Sequence, residues 1–115
     1  MKKILLSAAC LLASLSFGAA AADIRAGKAV VEKFNCASCH GADFKTSSEA
    51  SCPKLAGQHA DYLAAALLAY QRGGSHVAGR ANPIMEPQAK LLSRQDIRNV
   101  AAYLSSLPGD LEVRK

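Results

Sequence analysis

Tryptophan is absent from this 115-residue chain, and three tyrosines with three phenylalanines are its whole aromatic complement. A core of Ala, Leu and Val with so few rings is thin, and a domain this short buries a small share of its surface. A further staple, such as a disulfide or a metal, is needed to hold it. Blocks of like charge are missing too. The basic residues are dispersed, without the stripe or the aromatic support that a nucleic-acid interface wants. No segment alternates polar and apolar long enough to make a strand, so the class is all-α. Neither an internal repeat nor a low-complexity tract is present. Half of the residues are hydrophobic, which argues against a disordered chain, and the length allows one domain.

The first residues are read apart from the fold. "MKKILLSAACLLASLSFGAAAA" has a basic start at Lys2 and Lys3, an apolar run from Ile4 to Phe17, and a small-residue end. This is the secretory pattern, and the run is too short for a membrane span. Cleavage is expected after Ala20 or Ala22, which leaves residues 23–115 as the exported domain in the periplasm. An uncleaved anchor is the weaker alternative, and a lipoprotein site at Cys10 weaker still. Without Lys2 and Lys3 the 14 basic residues fall to 12 against 9 acidic ones, a formal +3. Such an excess steers docking to an acidic partner only mildly.

Three helical segments are legible in what remains. Residues 23–35 offer Ile24, Ala29, Val30, Val31 and Phe34 as candidate buried positions. "GQHADYLAAALLAYQRGG" repeats Tyr62, Ala65, Ala66, Ala69 and Tyr70 at helical spacing and stops at Gly73 and Gly74. The last segment opens at Ser93 with Asp96 three residues on, close to a capping box. Its stripe is Ile97, Val100, Ala101, Leu104 and Leu107, and Pro108-Gly109 ends it. A short helix is expected over residues 88–92. Two loops rich in breakers lie between, "GADFKTSSEASCPKLAG" and "GGSHVAGRANPIMEP", and loops of that length in a small domain are usually functional or disordered.

The chemistry concentrates in "FNCASCHGADF". Of the chain's four cysteines and three histidines, two and one stand here. "CASCH", Cys36 to His40, fits C-x-x-C-H, the pattern of covalent haem attachment. Two thiols on one helical turn can each add to a vinyl group of one porphyrin, and the following His reaches the iron as its proximal ligand. One covalent haem c also supplies the missing staple and an apolar body for the core. Competing readings are weaker. A thioredoxin-like site wants a βαβ context. Zinc would need a second ligand pair, for which only Cys52, His59 and His76 remain. A Cys36–Cys39 disulfide leaves His40 unexplained.

Four blocks, "CASCHG", "PKLAGQHADYL", "RANPIM" and "LSRQDIRNVAAYLSSL", resemble in order and spacing the class I c-type cytochromes. The likeness is to small single-haem bacterial carriers and to each half of the two-haem ones. It covers nearly the whole mature chain. The resemblance implies the cytochrome c fold, three main helices plus a short one around one haem. It implies Cys36 and Cys39 as thioether residues, His40 as proximal ligand, Pro53 as the carbonyl that bonds the ligand imidazole, and Leu55 as packing on the haem face. The first and last helices are expected to cross near their middles, with the neighbourhood of Phe34 against residues 100–104. Gly27 is not assigned to that crossing, because it lies farther from Cys36 than the corresponding glycine of many members.

Met85 is the one methionine left once Met1 departs with the leader. It sits in "NPIMEP", between Pro83 and Pro87, read as a stiff loop outside any helical register, and the resemblance points to it as the distal ligand. His59 and His76 are its rivals. Arg80 and Asn82 are expected to hold a haem propionate or to orient the loop. Met/His ligation fills both axial sites and leaves outer-sphere electron transfer as the task. The expected function is a periplasmic one-electron carrier, not an enzyme. Its donor would be a dehydrogenase or quinol-oxidising complex and its acceptor an oxidase or reductase, with no small-molecule substrate. A dedicated subunit of one dehydrogenase is the runner-up, and a gas-binding haem sensor the third reading. Cys52 has no partner after export; a monomer with a tolerated thiol is expected, and a Cys52-linked dimer is the other reading.

Overall fold

Asp23 starts the first helix. Its carboxylate accepts from the Arg25 and Ala26 amides at 2.8 and 3.1 Å, partners that the opening turn cannot find within itself. The computed structural model describes residues 20–110, and these are entirely helical or irregular. The body of the signal segment lies outside them. The order is α1 (Ile24–Lys33), α2 (Ala37–His40), α3 (Ala60–Arg72), α4 (Met85–Lys90) and α5 (Arg94–Ser106). The all-α class and the three main helices are as expected, and there are two short helices rather than one.

α5 begins with the capping box foreseen from its sequence. The Ser93 hydroxyl accepts from the Asp96 amide at 3.0 Å, and the Asp96 carboxylate accepts from the Ser93 amide at 2.9 Å. Its stripe Ile97, Val100, Ala101 and Leu104 is buried as expected. The helix packs along α1, and α3 lies against both α5 and α4. One core results, made of Val31, Phe44, Ala56, Leu63, Val100, Ala101 and Leu104.

The crossing of α1 and α5 falls at Gly27, not around Phe34. A Cβ at Gly27 would stand 2.0 Å from the Asn99 carbonyl oxygen and 2.8 Å from Tyr103 Cβ. Only a residue without a side chain admits that approach. The inward stripe of α1 is therefore Gly27 and Val31, one helical turn apart. Ala29, two residues along, points outward, and Ile24 is 49 % exposed. A similar one-residue rotation applies to α3: Leu63 faces the core while its neighbour Tyr62 is half exposed.

The loop from Gly41 to His59 is ordered by its own polar groups. Phe44, at φ 56°, is buried and meets Tyr103 edge to face, with ring centroids 6.3 Å apart. Its carbonyl accepts from the Leu55 and Ala56 amides at 2.8 and 2.9 Å. Just ahead, Asp43 accepts from the Lys45 amide, the Thr46 amide and the Thr46 hydroxyl. Those donors hold its carboxyl well below the usual range, at about 2.

Candidate metal centre

α1 ends at Lys33 with Phe34 as its cap, and the next residue, Asn35, adopts φ 52°. Asparagine is among the few residues that tolerate this left-handed geometry. The turn lets the chain restart at once as α2, with the Cys36 amide bonded to the Val31 carbonyl at 3.1 Å. "CASCH" is then one helical turn ended by Gly41 at φ 89°. Cys36 is half-buried and Cys39 exposed, and neither is bridged. Burial pushes the Cys36 thiol above its ordinary value. That is the opposite of the lowered pKa of a redox-active C-x-x-C cysteine.

His40 is buried, and its Nδ1 lies 2.9 Å from the Pro53 carbonyl oxygen. A carbonyl only accepts, so Nδ1 carries the hydrogen and donates it. The Nε2 lone pair is thereby left for a metal, and the bond fixes the ring and raises its basicity. Among the described residues no group of three or more His, Cys, Asp and Glu side chains converges as a metal site, so Cys52, His59 and His76 build no zinc site. Cys52 is half-buried and unbridged beside Pro53. Leu55 is half-buried and packs on the core.

Met85 is not in a loop. It is the first residue of α4, half-buried, and the short helix begins three residues earlier than expected. Pro87 falls in the first turn, where its missing N–H has no intrahelical partner to lose. Asn82 prepares that turn. Its side-chain oxygen accepts from the Ile84 and Met85 amides at 2.9 and 2.8 Å, and its own amide donates to Glu86 at 3.1 Å. Arg80 is exposed, with its guanidinium 5.6 and 5.7 Å from the ring centroids of Tyr62 and Tyr70. It donates to the Tyr62 hydroxyl at 3.3 Å, a bond that raises its pKa further. The sequence shows the two tyrosines only as positions at helical spacing and does not single out Glu86, whose carboxylate accepts from the Asn82 amide one helical turn back. His59 is the exposed N-cap residue of α3, and His76 turns its Nδ1 to the Ala78 amide.

The donors fit a haem. His40 presents one free nitrogen from a bonded, buried ring, preceded by two unbridged thiols on the same turn. The chain belongs to the cytochrome c family, whose model, Cytochrome c, matches residues 24–108. It is 34 % identical over 93 residues to cytochrome c-554(547) of Halothiobacillus neapolitanus, covering 76 % of this chain and 99 % of that one. It is 41 % identical over 73 residues to a thiosulfate dehydrogenase electron acceptor of Stutzerimonas stutzeri, covering 64 % of this chain but 32 % of that protein. Among solved structures, reduced recombinant cytochrome c4 from Pseudomonas stutzeri superposes with a TM-score of 0.69 at 37 % identity, covering 79 % of this chain and 48 % of that one. The chain thus spans about a third and about half of the longer two. It is an electron-transfer protein of the cytochrome c family, which carries covalently bound haem c.

Proposed function

We propose that the chain is a periplasmic one-electron carrier with a single haem c. Cys36 and Cys39 would hold the haem by thioethers, and His40 and Met85 would ligate its iron. The observation that carries this reading is the bond from His40 Nδ1 to the Pro53 carbonyl, which leaves the ring one nitrogen for iron. The haem supplies the one-electron couple. The protein's part is to keep His40 in one tautomer and one orientation, and to deliver Met85 from a capped turn. With His40 and Met85 both given to its iron, a bound haem would have no site for a substrate and would supply outer-sphere electron transfer to a partner protein. The donor is a dehydrogenase or a quinol-oxidising complex and the acceptor an oxidase or reductase; neither nucleic acid nor a small-molecule substrate is involved.

The likeness to a thiosulfate dehydrogenase electron acceptor favours a second reading, a subunit dedicated to one dehydrogenase. Co-purification of the exported chain under mild salt separates the two. The deciding test of ligation is the absorption spectrum of the exported protein, oxidised and reduced, then with carbon monoxide. A low-spin haem c with the weak red band of an iron–methionine bond and no carbon monoxide response is expected. Ready carbon monoxide binding would defeat the six-coordinate carrier and favour a gas sensor. The chain is proposed to be a monomer, and a reductant-sensitive dimer band lost in Cys52→Ser would overturn that.

A further inference from the structure

Between the end of α3 and the start of α4, the chain must come back along α3 before presenting Met85. Two kinds of contact hold it there. One is backbone: the Arg80 amide donates to the Ala69 carbonyl at 2.9 Å. The other is Arg80's side chain, which takes in two rings at once. Tyr62 and Tyr70 stand eight residues apart on α3, with Ala66 midway at four residues from each. That i, i+4, i+8 register puts the rings on one side of the helix with a small residue between them. The guanidinium lies within 6 Å of both centroids, at 5.6 and 5.7 Å, and is anchored by its bond to the Tyr62 hydroxyl. Planar and delocalised, an arginine head suits such a seat better than the point charge of lysine.

Two residues on, Asn82 takes over. It accepts from the Met85 amide and is itself held by Glu86, and Pro83 stiffens the link between. The path from the tyrosines to Met85 therefore has few free torsions. We infer that Arg80, seated between Tyr62 and Tyr70, is a positioning residue that latches the Met85-bearing segment to α3 and so keeps the sulfur at the iron. This rests on the proposed His40/Met85 ligation and names what maintains it. Arg80 is exposed and outside the core, so its removal acts on the ligand segment more than on the fold.

The test uses the haem-loaded exported protein. In Arg80→Ala the red iron–methionine band is expected to weaken, and the reduced form to take up carbon monoxide about tenfold faster, the factor that two exposed cation–π contacts together support. The thermal midpoint should change little. Arg80→Lys is expected to recover part of the band, Tyr62→Phe most of it, since the ring stays, and Tyr62→Leu little. Should Arg80→Ala not accumulate, the Tyr62→Phe and Tyr62→Leu pair decides by the same readouts. A wild type that carries the band, with Arg80→Ala or Tyr62→Leu matching it in band and carbon monoxide rate, overturns the latch alone. A wild type without the band defeats the ligation beneath it.

Discussion

Gly27 of α1 lies against the backbone of Asn99 in α5 so closely that a Cβ would stand 2.0 Å from the Asn99 carbonyl oxygen. The same Asn99 is buried, and its side-chain oxygen accepts from the Asp23 amide at 2.9 Å, just ahead of α1. One residue of α5 thus meets α1 by its main chain and ties down the entry to α1 by its side chain. The angle at which α1 leaves this contact carries Val31 into the core and delivers the turn of Cys36 to His40.

Gly27→Ala should be costly. The new methyl meets backbone on a packed helix, which cannot swing aside, so the helices must separate. A loss of about 3 kcal/mol is expected, toward the upper end for overpacking, or roughly 10–20 °C in melting temperature for a domain of this size. Thermal unfolding followed by far-UV circular dichroism checks it. A midpoint within a degree or two of wild type would mean that the helices do not meet here.

Asn99→Ala should free the start of α1. The Asp23 amide loses its acceptor, and an abandoned donor costs about 1–3 kcal/mol where water cannot replace the partner fully. Urea titration should show an earlier midpoint with an unchanged slope. Hydrogen exchange at the Asp23 amide should quicken more than exchange within α5.

Acid should act through Asp43. Its carboxyl titrates at about 2 in the folded chain, against an ordinary value of 3.8. Between those values the unfolded chain binds more protons, so stability falls as pH drops from about 4 to 2. Above 3.8 the contribution is fully present. Asp43→Ala lacks it, and the melting-temperature gap between the two proteins should therefore narrow from pH 5 to pH 2. A gap that is constant over this range would show that the Lys45 and Thr46 donors do not hold the charged form.

The sequence revealed most where the signal is local. Ser93 with Asp96, and the spacing of Cys36, Cys39 and His40, are short-range patterns whose geometry the backbone reproduces. Met85 stood out as the one methionine of the chain besides Met1, yet its setting was misjudged. Pro83 and Pro87 looked like the two walls of a loop, whereas a proline in a first helical turn loses no bond. Gly27 stayed unassigned because it lies farther from Cys36 than the family pattern has it, and no periodicity connects it to its partner Asn99, 72 positions away. The Arg80 seat was hidden for a related reason: Tyr62 and Tyr70 fit an apolar stripe, and only the return of the following loop shows that they face a cation.

Replacing Met85 tests the proposed distal ligand from two sides. Met85→Ala removes the sulfur and puts a methyl group in its place. The red band should vanish, and the reduced protein should bind carbon monoxide readily, because the sixth position is then open to outside ligands. Met85→His offers a stronger donor from the same capped turn. Two histidines favour the oxidised iron, so the potential should fall, by something on the order of a few tenths of a volt inside the roughly 0.8 V that axial ligation spans. The spectrum should stay low-spin, without the red band. Redox titration beside carbon monoxide difference spectra reads both variants. If Met85→Ala kept the band, the sulfur would have to come from elsewhere, and the chain's one other methionine is Met1. If instead Met85→Ala stayed low-spin and closed to carbon monoxide with no band even in the wild type, His59 or His76 would be the ligand, and the matching His→Ala substitution would open the site.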